Sequence, residues 1–272
     1  MRLRWKDGCS RRMGMKRLDY GNVLEVFSWG LDSLRRPALR DLLCGFEEFR
    51  DHKPAVRLFE RLEMGGLVKK TGRGCHATYR ITDTGRSLVR REGPSEHWAK
   101  SWDGSWRVVT FDVPEVRRKD RQVLWRALRD RKLGLLQRSV WIWPHPVEEM
   151  LSEVIQAEGI PECFCGFTSR SLFFCTDAEV VASAWNWKEI NRRQQSYLDQ
   201  SSLMTGLLAD VRDLSRLGAL ARSERQAYWW AYSLDPWLPQ SLWPKSCKGA
   251  RVEQEHQRFR QRLAQRMAAL NA

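Results

Sequence analysis

Trp106–Leu128 reads WRVVTFDVPEVRRKDRQVLWRAL, and its apolar residues change period part-way along. WRVVTFDV (106–113) is a strand-length apolar run, and Pro114 removes a backbone donor where that run stops. From Arg117 to Arg131 the apolar positions Val123, Leu124, Ala127 and Leu128 recur at helical spacing among arginines, which predicts a helix with those four facing inward. Downstream, LLQRSVWIWP (135–144) reads as a second strand and Val147 to Gln156 as a second helix. SRSLFFCT (169–176) reads as a further strand, with ECFC (162–165) a weaker one. The order approximates β-α-β-β-α-β, a ferredoxin-like sandwich over residues 98–177.

Upstream, residues 18–93 carry a different pattern. A helical stretch from Val23 to Leu34 precedes Pro37, and a second helix runs through Leu39 and Leu43. In KPAVRLFERLEMGGLVKK (53–70), Val56, Phe59 and Leu62 form an apolar stripe that turns Arg57 and Arg61 onto another face, and Gly65-Gly66 ends the helix. LVKKTGRGCHATYRITDTG (67–85) then alternates like a strand, breaks at Gly72 and Gly74, and alternates again through Tyr79 and Ile81 before a turn at Asp83 to Gly85. Three helices and a basic hairpin predict an N-terminal winged helix-turn-helix. The candidate DNA-binding residues are Lys53, Arg57 and Arg61 on and beside the third helix, with Lys69, Lys70, Arg73, His76 and Arg80 on the hairpin.

Charge supports that assignment. The 272 residues hold 47 Lys and Arg against 33 Asp and Glu, a formal +14, and residues 1–93 hold 21 against 12, which is +9 of it. A surface so basic attracts nucleic acid, anionic lipid or anionic ligands, so double-stranded DNA is the expected partner. A dimerisation or protein-docking winged helix with an ordinary solvated basic face is the alternative. The basic N-terminus lacks an apolar leader core, and no uncharged stretch approaches the ~20 residues of a membrane span, so a cytoplasmic protein without membrane contact is expected. Seven scattered cysteines, odd in number, read as reduced thiols. Cys163, Cys165 and Cys175 lack the C-x-x-C pairs of zinc sites, and no metal or cofactor is expected.

From roughly Asn191 onward the chain is helical in tendency, and residues 185–270 are expected to form a mainly helical C-terminal domain. YWWAYSLDPWLPQSLWP (228–244) gathers Trp229, Trp230, Trp237 and Trp243. Tryptophans at this density are core or interface residues, or flat walls for an aryl or adenine ring with Arg and Lys nearby for phosphates.

These blocks together resemble the PaaX family of bacterial transcriptional repressors. The likeness rests on W-D-G-x-W-R-V-V-x-F-D-V-P-E (102–115), S-V-W-I-x-P (139–144), the VRLFERLEMGGLVKK and GRGCHATYRITDTG blocks, WNWKEINRRQQSY (185–197) and DPWLPQSLWPKSCKGARVEQEHQRF (235–259). Cys247 stands where the family pattern has tryptophan, and Trp229-Trp230 where it tends to carry a basic residue. The resemblance implies a dimeric DNA-binding repressor without enzymatic activity, and an acyl-CoA type effector, which the tryptophan-rich segment is expected to bind.

The central block also resembles the CRISPR adaptation nuclease-like proteins, through F-D-V-P-E, Gly134 and Gln137-Arg138-Ser139-Val140-Trp141. The alternative function is therefore a metal-dependent nuclease centred on Asp112. Metal-assisted phosphodiester cleavage needs a carboxylate cluster. Glu115 is the only other acid in that turn, and Arg117-Arg118-Lys119 competes as counter-charge. On the scaffold reading, Asp112 caps the following helix or pairs with an arginine.

Overall fold

A computed structural model describes residues 33–35, 60–89, 94–158 and 164–271. The chain divides into two compact units, residues 1–89 and 90–272. The expected helices through Leu39 and Leu43 and over 53–59 lie outside the described residues.

In the first unit, helical residues 60–64 lead into a small antiparallel sheet of β1 (Ser33–Arg35), β2 (Val68–Thr71) and β3 (Thr78–Ile81), in the order β1-β3-β2. The helix expected through Leu34 is corrected here: Ser33–Arg35 is extended and pairs with β3. Gly65-Gly66 does end the helical stretch. The Leu67 N–H donates to the Leu62 carbonyl and the Gly66 N–H to the Glu63 carbonyl, both at 2.9 Å, with Gly66 at φ 66°. That pair of bonds satisfies the last carbonyls and aims the chain directly into β2.

The turn expected at Asp83 to Gly85 is instead the start of helix α1 (Asp83–Val89). The Thr82 hydroxyl accepts the Gly85 N–H at 3.1 Å and lies 2.7 Å from the Gly66 carbonyl, so it starts α1 and ties that helix to the end of the preceding one. Gly85 is required by packing, because a Cβ there would sit 2.2 Å from the Leu67 carbonyl oxygen.

The second unit opens with α2 (Pro94–Trp98) and continues as β4 (Trp106–Phe111), α3 (Arg118–Asp130), β5 (Gly134–Gln137), β6 (Val140–Trp143), α4 (Glu148–Glu158) and β7 (Phe164–Ser169). The sheet order β5-β6-β4-β7, all antiparallel, is that of a ferredoxin-like sandwich. Two strand assignments shift. LLQRSVWIWP is a hairpin of two strands turning at Arg138-Ser139. The last strand is FCGFTS rather than SRSLFFCT, because β7 pairs along β4 from Phe111↔Phe164 to Trp106↔Ser169, where β4 ends.

Four helices follow: α5 (Asp177–Ala184), α6 (Trp187–Leu207), α7 (Leu214–Tyr232) and α8 (Gly249–Asn271). The Thr176 hydroxyl accepts the Glu179 N–H while the Glu179 carboxylate accepts the Thr176 N–H, which starts α5.

Alternation along β4 sends its side chains into two cores. Val109, Phe111 and Trp141 meet Leu124 and Leu128 of α3 and Leu151 and Val154 of α4. Trp106, Val108 and Ile142 meet Val180, Val181 and Ala184 of α5, Ile190 of α6, and Leu238 and Leu242. The sheet is thus covered on one face by its own helices and on the other by the C-terminal segment, across the expected boundary between 177 and 185. A third cluster joins Trp98 to Tyr197, Tyr228, Tyr232 and Val252.

Candidate nucleic-acid interface

The register of the three-stranded sheet sorts its residues by face. Val68 pairs with Ile81 and Lys70 with Tyr79 on the inner face, where Val68, Tyr79 and Ile81 are buried and Lys70 is half-buried. Lys69 pairs with Arg80 and Thr71 with Thr78 on the outer face, and all but the half-buried Thr78 are exposed. From β1, Ser33 stands opposite Arg80 and Arg35 opposite Thr78. On β2 and β3 the outer-face positions are therefore Lys69, Thr71, Thr78 and Arg80: two cations, two hydroxyls and no carboxylate.

Like charges directly opposite on neighbouring strands cost roughly 0.2–1 kcal/mol. Lys69 against Arg80 carries that cost in the isolated chain. A polyanion laid on this face would reverse its sign, and hydroxyls between the cations suit the phosphate oxygens of a nucleic-acid backbone.

Arg73 and His76 are exposed in the link between the strands, where Gly72 (φ 82°) and Gly74 (φ 60°) turn the chain. Arg61 is exposed while its neighbour Leu62 is fully buried. Lys53 and Arg57 lie outside the described residues. Six of the eight expected DNA-binding residues are therefore placed, with Lys69 and Arg80 brought together and Lys70 on the opposite face. Sequence reading set Arg35 next to a helix, whereas its backbone pairs opposite Thr78 of β3.

In the second unit the acids around the expected nuclease position take separate roles. Asp112 is exposed and caps nothing: the residues preceding the 3-10 turn Glu115–Arg117 and helix α3 are Pro114 and Arg117, neither with a capping side-chain bond. Glu115 accepts from Arg121 and Asp120 from Arg117, each at 2.7 Å. Among the described residues no three His, Cys, Asp or Glu converge on a point that could hold a metal ion.

The four tryptophans divide among different tasks. Trp229 and Trp243 pack against the cluster around Trp98, and the Trp243 indole donates to the Leu238 carbonyl at 2.9 Å. Trp237 stacks on His97 with ring centres 4.7 Å apart. Trp230 is exposed, with the Arg193 and Arg192 guanidinium groups 5.0 and 5.4 Å from its ring centre. An open groove of about 500 Å³ on α6, lined by Asn191, Arg192, Gln195, Asp199 and Lys248 among others, includes none of the four.

Gln194, Asp235 and Glu224, buried polar residues of the helical segment, are held in linked sets. Asp235 accepts the Gln194 amide at 2.9 Å and the Trp237 N–H at 2.8 Å, while the Gln194 oxygen accepts the Lys248 N–H at 3.0 Å. Burial pushes the Asp235 carboxyl up to about 6. Lys132 follows α3 in the left-handed region at φ 73° and sends its ammonium to the Tyr232 and Ser233 carbonyls at the end of α7, with burial lowering its pKa. Glu224, also buried, accepts from the Tyr197 hydroxyl and lies 2.9 Å from His256 Nδ1. Burial, then the Glu224 charge, holds Tyr197 protonated. These sets join α6, α7 and α8 to one another and to the sandwich.

Residues 99–181 match the family model of the PaaX protein central Cas2-like domain. That span contains the whole sandwich and the first part of α5. The solved structure of an uncharacterized protein, Rv0674 from Mycobacterium tuberculosis, is similar with a TM-score of 0.53 over 93% of this chain and 96% of that one, at 18% identity. At that identity the likeness concerns the fold. No curated protein matches the chain. Among the described residues no helix is long and apolar enough to cross a membrane.

Proposed function

We propose that this chain is a DNA-binding transcription regulator, acting as a dimeric repressor. The observation that carries the reading is the outer face of the first unit's sheet, where Lys69 and Arg80 stand opposite each other beside Thr71 and Thr78, with no acid among those four positions. The sheet order β1-β3-β2, with a helical stretch ending directly at β2, is the arrangement expected of a winged helix-turn-helix, and the PaaX match of residues 99–181 supports a regulator of that family. In this reading the sheet's outer face meets phosphates, and the helix that contains Arg61 enters the major groove. Two half-sites bound by two copies give specific affinity at cellular salt.

An acyl-CoA type effector, implied by the family resemblance, would release the DNA by favouring a different spacing of the two winged helices. Trp230, exposed beside Arg192 and Arg193, is the residue of the expected effector set best placed to meet it.

The test is selection of duplex DNA by the full chain from a random pool, followed by anisotropy titration of the enriched sequence over a salt series. Enrichment of an inverted repeat with steep salt dependence is expected. Failure to enrich any duplex sequence overturns the reading.

A further inference from the structure

Among the described residues the fourth strand of the sandwich is left uncovered. β7 pairs with β4 on one side, and among the described residues nothing pairs with its other edge. Its faces are open as well. Cys165 and Phe167 point to the side that α5 and α6 cover further along the sheet, and Gly166 and Thr168 to the side of α3 and α4, yet all four are exposed. The loop that follows adds Phe173 at 79% exposure and Phe174 at 110%.

Phe174 holds φ 61°, the left-handed region that a bulky side chain rarely adopts. Backbone strain is therefore retained while an aromatic ring stands fully in water. Natural sheets protect free edges with charged residues, proline or cover. Residues 164–176, FCGFTSRSLFFCT, contain neither proline nor any charge but Arg170, whose guanidinium reaches the Ser105 hydroxyl at 3.3 Å.

We propose that β7 and the 170–176 loop are a self-association surface, on which β7 pairs antiparallel with β7 of a second copy and Phe167, Phe173 and Phe174 pack across the two-fold axis. The inference rests on the dimeric reading above and gives it an interface. Charge selects the occupant: two chains of formal +14 repel wherever their basic surfaces meet, and this nearly uncharged strip is where they approach without that cost. With Arg170 its only cation, the strip is also a poor surface for DNA.

Geometry agrees, because an edge strand paired with its own symmetry mate is self-complementary, as a two-fold interface requires. Area agrees too. At ~200 Å² per phenylalanine, the exposed fractions of the three rings amount to roughly 500 Å² per copy, more than half of the ~800 Å² per partner of a standard interface, and the strand and loop add the remainder.

The experiment uses the full chain in sedimentation equilibrium, with amide hydrogen exchange alongside. Wild type is expected at twice the monomer mass, with 164–169 amides gaining protection as protein concentration rises. Phe174→Gly removes the ring and accepts the left-handed backbone, so it keeps or raises the melting temperature while weakening self-association roughly 100-fold, one ring being lost from each side. Phe167→Asp is expected to give monomer. A wild-type monomer overturns the proposal and leaves the strip to a different protein. A dimer unaffected by both substitutions, or without concentration-dependent protection of β7, also overturns it and leaves the regulator reading standing. A β7-linked dimer that selects no duplex DNA defeats the regulator reading and leaves this interface intact.

Discussion

Lys69→Ala combined with Arg80→Ala is a perturbation whose two expected effects have opposite signs. In the free chain the two cations face each other across adjacent strands, so removing both relieves a repulsion of roughly 0.2–1 kcal/mol. Urea melts should show stability unchanged or raised within that range. On DNA the change goes the other way. Each phosphate contact contributes about 0.9 to the slope of log affinity against log salt, so losing two flattens the slope by about 1.8 and lowers affinity roughly 60-fold near 0.1 M salt. The loss should be the same on specific and random duplexes, because backbone contacts carry no sequence information. Anisotropy titration of a labelled duplex over a salt series measures both quantities. Arg126→Ala with Arg129→Ala removes the same formal charge from exposed positions of α3 and serves as the control. An unchanged slope in the sheet variant, or an equal change in the control, would refute the assignment of this face to DNA.

Four further outcomes are expected. Asp235→Asn presents an amide donor where the Gln194 and Trp237 N–H groups both need acceptors, and Gln194 cannot reverse because its oxygen accepts from Lys248; denaturant melts should show about 1–3 kcal/mol lost. The substitution should also remove a pH dependence: a carboxyl raised to about 6 when folded stabilises below its ordinary 3.8 and loses that contribution as pH rises through about 6, so wild-type melts fall across that window relative to the variant's. Gly85→Ala forces a Cβ against the Leu67 carbonyl and should lower the melting temperature of the first unit by the equivalent of roughly 2 kcal/mol or more, read by calorimetry. Labelled DNA incubated with wild type and Mg²⁺ should stay uncut; cleavage that disappears in Asp112→Ala would favour the nuclease alternative.

Legibility in the sequence followed the range of the interactions. The change of period in 106–128 exposed the α+β sandwich because strand and helix there each bury a face within a single local segment, and Leu124 and Leu128 are fully buried as their spacing requires. The hairpin at Arg138-Ser139 escaped because its turn lacks Asn-Gly or another residue suited to positive φ. The last strand was placed too late because FCGFTS has neither alternation nor a buried face to display; its position is set by β4, more than fifty residues earlier. The same reasoning separates Lys69 and Arg80, readable as alternating positions of one hairpin, from Arg35, whose partner Thr78 lies forty-three residues ahead. The tryptophans of 228–244 show the opposite limit. Composition marked them as a set, but Trp243 and Trp237 are held by a carbonyl and a stacked histidine from different elements, and Trp230 alone faces outward beside two arginines. A side chain's chemistry is local and readable, whereas the neighbours that decide its use arrive through pairings of distant segments. The functional reading therefore rests most firmly where both coincide, at Lys69 and Arg80: two cations set opposite each other by a short link, at a cost that an anionic partner would remove.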